Sequence, residues 1–125
     1  MDERAAFAVV VGQLIQRLRG RATSQQTLAA KAGLSQSALS RFENGQSVPD
    51  LYETRRLAIA LGQKPEAFVG LIEQSFARTA EVAQKVSKTE PWEGLAAVAV
   101  GGLAVLGVMA ILDESSKKAG KKGPR

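Results

Sequence analysis

The stretch Ser24–Gly45, SQQTLAAKAGLSQSALSRFENG, constrains the fold more tightly than any other part of the chain. Ser24 is a residue type that caps a helix, since its hydroxyl oxygen accepts from a backbone N–H in the first turn, and the spacing of Leu28, Ala29 and Ala32 predicts the helix that follows. Gly33 then stands where that helix must end in left-handed backbone, which a side chain makes costly. Leu34 is placed as an inward plug and Ser35 as the cap of a second helix. There Leu39 and Phe42, three apart, point inward and leave Gln36, Ser37, Ser40 and Arg41 on other faces. The pattern predicts two short helices joined by a tight turn, with hydrogen-bonding groups open on the second.

Over Gln25, Leu28-Ala29, Ala32-Gly33-Leu34-Ser35-Gln36-Ser37, Leu39-Ser40 and Phe42-Glu43-Asn44-Gly45 the chain resembles the Cro/Xre-type helix-turn-helix domains of phage and plasmid repressors. The resemblance covers roughly residues 5 to 75. It implies an all-α, five-helix domain whose second motif helix enters the major groove of double-stranded DNA. An amide can bond adenine N6 and N7 there, and a guanidinium can bond guanine O6 and N7. Gln36, Ser37 and Arg41 are the expected base contacts, with Ser40 able to reach base or phosphate. Ser24, Gln25 and Asn44 are the phosphate contacts that the resemblance implies. Arg19 and Arg21, at the end of the preceding helix, are placed to face a phosphate as well.

The rest of that domain follows from periodicity. Phe7, Val10, Val11, Leu14, Ile15 and Leu18 form one apolar stripe on a helix over about residues 4 to 19. Asp50 caps a fourth helix with Leu51, Thr54, Leu57, Ala58 and Leu61 inward and Gly62 at its end. Pro65 opens a fifth, reaching about Val86. Along it Val69, Ile72, Phe76, Thr79, Ala83 and Val86 repeat by three and four. Phe68, Val69, Ile72 and Phe76 finish the core, and the later turns are either a solvated extension or the seam of a homodimer.

With 125 residues, one small domain and an appendage fit, and two full domains do not. The chain has no cysteine or histidine, which excludes disulfides, zinc fingers and the usual catalytic triads. No nucleophile or metal ligand stands beside Asp50 and Glu53 or Glu90 and Glu93, so the expectation is a binding protein, not an enzyme, with no cofactor. The net charge of +5 implies an anionic partner. No apolar leader with a cleavage site follows Met1, which places the N-terminal domain in the cytoplasm.

From Gly94 to Leu112 the chain carries no charged or polar side chain. A helix of that length reaches about the thickness of a bilayer's hydrocarbon core, and Trp92 stands at its start as an interfacial aromatic would. A transmembrane helix is therefore expected, anchoring the protein to the cell membrane. An objection is that Lys117, Lys118, Lys121, Lys122 and Arg125 would then lie outside, against the positive-inside tendency. The alternative is an oligomerising apolar helix.

The expected organisation is a DNA-binding domain over residues 1–75, a helical connector over 76–93, the apolar helix over 94–112 and a disordered basic tail over 113–125. The expected function is sequence-specific, dimeric, membrane-tethered transcriptional regulation. Two other readings stand beside it. One is a membrane-anchored adaptor that uses the fold to bind a protein partner, as in the bacterial cell-shape proteins whose layout the chain resembles; the other is a nonspecific DNA tether.

Overall fold

The computed structural model describes residues 2–86 and 103–121. Its elements, in order, are α1 (Glu3–Arg19), α2 (Gln25–Ala32), α3 (Gln36–Glu43), α4 (Leu51–Ala60), α5 (Pro65–Val86) and α6 (Leu103–Lys121). Each of the first four starts on a side-chain cap: Asp2, Ser24, Ser35 and Asp50 accept from Ala5, Thr27, Ala38 and Glu53 N–H. Such a cap contributes about 1 kcal/mol. At α4 the Glu53 carboxylate also accepts the Asp50 N–H at 2.8 Å, completing a reciprocal capping box.

One core joins Val10, Val11, Leu14 and Ile15 of α1 to Leu28 and Ala32 of α2, Leu39 and Phe42 of α3, Leu57 and Ala58 of α4, and Phe68, Leu71 and Ile72 of α5. Gly12 sets how closely α1 lies on the end of α3. A Cβ built there would collide with the Phe42 carbonyl oxygen and stand 2.7 Å from that of Glu43. Leu51 departs from its expected inward place, being 85% exposed beside Tyr52 and Pro65. The helical period is correct, since Thr54 is half-buried and Leu57 and Ala58 are buried, but Leu51 itself stays open at the start of α4.

The C-terminal part differs more. Val108 and Ile111 of α6 belong to the main core, and α6 packs on α5 and α1. The α5 seam is thus occupied from within the chain. Ile72, Thr79 and Ala83 are buried, and Phe76 meets Phe7 edge-on at 5.2 Å between ring centroids. Val69 stays exposed, and the Val86 side chain lies outside the described residues. Close packing is possible because α6 presents Gly107 to Thr79, whose hydroxyl a Cβ would strike.

Among the described residues no helix is long and apolar enough to cross a membrane. The expected span over 94–112 is unsupported among the described residues: of 103–112, Val108 and Ile111 lie in the core on α5 and α1. The other half lies outside the described residues, as does the later part, 87–93, of the connector expected over 76–93, whose earlier part continues α5. Helix α6 continues through Asp113 to Lys121, taking in most of the segment read as a disordered tail. An i,i+4 ion pair between Asp113 and Lys117, at 3.4 Å, and an ion pair from Glu114 to Arg78 of α5, at 3.0 Å, lie along that extension.

Candidate nucleic-acid interface

The turn between α2 and α3 is made as its residues dictate. Gly33 adopts φ 72 and ψ 30, its N–H donates to Ala30 O, and Leu34 N–H donates to Ala29 O at 2.9 Å. These bonds close the α2 C-terminus. Arg56 of α4 adds a third closure, its Nε donating to Ala32 O at 3.1 Å. The Ser35 hydroxyl oxygen accepts the Ala38 N–H, fixing the direction in which α3 leaves.

The inner side of the motif is held by a buried carboxylate. Glu43, at the end of α3, is 4% exposed. Its Oε2 accepts from Arg19 Nε at 2.8 Å, and its Oε1 accepts from the second Arg19 guanidinium arm at 2.9 Å and from Gln25 Nε2 at 3.1 Å. Its backbone oxygen accepts from Gln16 Nε2 at 2.8 Å. Gly12, Gln16 and Arg19 therefore form one face of α1 that grips the α3 C-terminus by close approach, by amide and by charge. The hydrogen bonds to Glu43 raise the Arg19 pKa above its ordinary value, against the opposing effect of burial. The remaining Arg19 arm donates to Thr23 O at 2.9 Å.

Arg19 thus does not fit its expected place as a phosphate contact, because a carboxylate left in low dielectric recruits the nearest guanidinium. Gln25 is divided: one amide hydrogen is given to Glu43. Ser24 is committed to its cap, accepting the Thr27 N–H at 3.0 Å and donating to Thr27 Oγ1 at 2.8 Å. Thr27, which the sequence did not single out, is exposed as Ser24 is, and its hydroxyl oxygen accepts from Ser24. Arg21 is exposed in the turn after α1.

The outer side of α3 carries the expected groups together. Gln36, Ser37 and Arg41 are exposed and Ser40 is half-buried. An Arg41 guanidinium N–H donates to Ser37 Oγ at 2.9 Å, and Asn44 Nδ2 lies 3.4 Å from Ser40 Oγ. The arrangement is an amide at the helix start, then a guanidinium held by a hydroxyl one turn earlier. It matches the donors and acceptors of base edges in a major groove.

Two helices set by a left-handed glycine, the second capped, anchored on its inner side and polar on its outer side, define a helix-turn-helix unit. Residues 15–68 match the helix-turn-helix family model, which supports a Cro/Xre-type helix-turn-helix in this segment and with it a DNA-binding transcription regulator of that type. The match starts within α1 and ends at Phe68, so the later turns of α5 and all of α6 lie beyond it. No curated protein and no solved structure matches the chain.

Proposed function

We propose that the protein is a sequence-specific regulator that places α3 in the major groove and reads base edges with Gln36, Ser37 and Arg41. The observation that carries this reading is the Arg41–Ser37 bond on an exposed face whose inner side is fixed by Leu39, Phe42 and Glu43. A guanidinium already steered by a neighbour loses less freedom on meeting guanine than a free one. Arg21, Thr27, Asn44 and the second amide hydrogen of Gln25 are assigned to phosphates, which fix register without reading sequence.

Two copies on two half-sites complete the reading, since each bidentate base contact supplies only about 1–3 kcal/mol of discrimination. The surface that suits self-association is the apolar patch of Leu51, Tyr52 and Val69 around Pro65, bordered by Arg55 on α4 and Glu66 on α5. Opposite charges on its two sides allow two-fold pairing of Arg55 with Glu66 of a second copy.

The test is a binding selection of the full chain against a random duplex library at two salt concentrations. An enriched palindrome is expected. Salt-sensitive binding without an enriched sequence would replace this reading with a nonspecific tether, and no binding at low salt would point to a protein partner for the fold.

A further inference from the structure

Helix α6 is docked through a seam that is close but incompletely matched. On the α5 side Ser75, Thr79 and Ala83 are buried with no exposure. The Thr79 hydroxyl is satisfied by Ser75 O at 2.8 Å, whereas Ser75 Oγ, also buried, has no hydrogen-bond partner among the described residues. On the α6 side Gly107, Val108 and Ile111 enter the joint. Across it runs an ion pair, Arg78–Glu114, with side chains 38% and 52% exposed, a geometry that contributes little in water.

The docked helix keeps apolar surface open. Met109 is 49% exposed, and Val105, Ala110 and Leu112 are half-buried. By sequence its first half closes an uncharged run that starts at Gly94, and its second half carries Lys117, Lys118 and Lys121 against only Asp113 and Glu114, with Lys122 and Arg125 beyond it. Apolarity is thus concentrated toward one end of the segment and positive charge toward the other.

We propose that α6 is a reversible lipid-binding element: released from α5, it inserts its apolar half into an anionic membrane surface while the lysines after Leu112 stay at the headgroups. The insertion is shallow and one-sided. It leaves the basic tail on the same face as the DNA-binding domain, which removes the charge conflict that a full crossing would create. Basic residues near such a surface each add about 1 kcal/mol of attraction. The proposal does not rest on how α3 reads DNA.

The experiment is flotation of the full-length protein with vesicles of phosphatidylcholine alone and with phosphatidylglycerol added, alongside emission from Trp92, the chain's one tryptophan. Wild type is expected to float with the anionic vesicles, less so in high salt. Gly107→Leu, which cannot seat against Thr79, is expected to bind these vesicles about tenfold more tightly, a shift of about 1.4 kcal/mol. Replacing Lys117, Lys118, Lys121 and Lys122 together by Gln in the wild-type background tests charge without disturbing the joint, and is expected to reduce flotation. Absence of flotation by wild type and Gly107→Leu would overturn the proposal. So would flotation unaffected by the lysine changes, or a Gly107→Leu protein that assembles into oligomers and ignores lipid.

Discussion

Arg19 and Glu43 meet through two parallel N–H···O bonds, at 2.8 and 2.9 Å, between the last turn of α1 and the last residue of α3. The two ends of the pair are not equivalent. The Arg19 side chain is 20% exposed and can turn to water, whereas that of Glu43 is 2% exposed and cannot. Removing the arginine therefore leaves a buried carboxylate without its cation, at a cost of about 3–5 kcal/mol. Arg19→Met is expected to destabilise the protein by that order in urea unfolding, and Glu43→Gln by clearly less. Equal losses would show that the pair is not held in this asymmetric environment.

The same pair sets a pH expectation. Arg19 has its pKa raised by Glu43, so its stabilising contribution is full below the unfolded-state value and is lost only as pH rises through the higher folded-state value. Both lie far above neutrality. The Arg19→Met difference in unfolding free energy is thus expected to stay level from neutral pH into mild alkali. A fall across that window would mean that another group controls the pair.

Gly12 offers a test free of charge effects. A methyl at this position meets the Phe42 and Glu43 carbonyl oxygens, which are backbone and cannot turn aside. Gly12→Ala is expected to cost about 2–3 kcal/mol despite the better helix propensity of alanine, because overpacking outweighs the gain of about 1 kcal/mol. Increased stability in thermal unfolding would refute the close approach of α1 to α3.

These features separate what the sequence makes legible from what it does not. The α2–α3 unit can be read because every step is local: Ser24 and Ser35 cap their own helices, and Gly33 ends one where it stands. The Glu43 cluster cannot be read that way. Its partners come from α1 and α2, and a Glu near a helix end defaults to solvent until a guanidinium and an amide are brought to it. Arg56 is equally silent, since its role depends on α4 passing the end of α2. The apolar run is ambiguous for a different reason. Hydropathy alone suits a bilayer and a helix joint alike, and the fit of Gly107 on Thr79 that distinguishes them exists only in three dimensions.

The joint makes its own prediction. Ser75 Oγ is buried without a partner among the described residues, and a hydroxyl in that state loses its water for no return. Ser75→Ala removes the penalty while changing volume little, and is expected to raise stability by about 1 kcal/mol. Ile111→Ala, by contrast, empties part of the core and is expected to cost about 2–5 kcal/mol if α6 is docked in solution. Chemical unfolding of both variants checks the pair, and an Ile111→Ala protein as stable as wild type would mean that α6 is not seated on α5.

The groove face makes the last. Arg41→Ala removes a bidentate donor and is expected to cost about 1–3 kcal/mol on the preferred duplex while flattening preference at one base position. Gln36→Ala should do the same at a different position. Ser37→Ala probes steering rather than contact. The guanidinium survives but loses the hydroxyl that orients it, so a smaller loss confined to the Arg41 position is expected. Thr27→Val, at the start of α2, should weaken binding to every duplex alike and lessen its salt dependence, since phosphate carries no sequence information. Fluorescence anisotropy on the selected duplex and its single-position variants distinguishes these patterns. If Arg41→Ala weakens all sequences equally, Arg41 contacts phosphate, and base reading falls to Gln36 and Ser37.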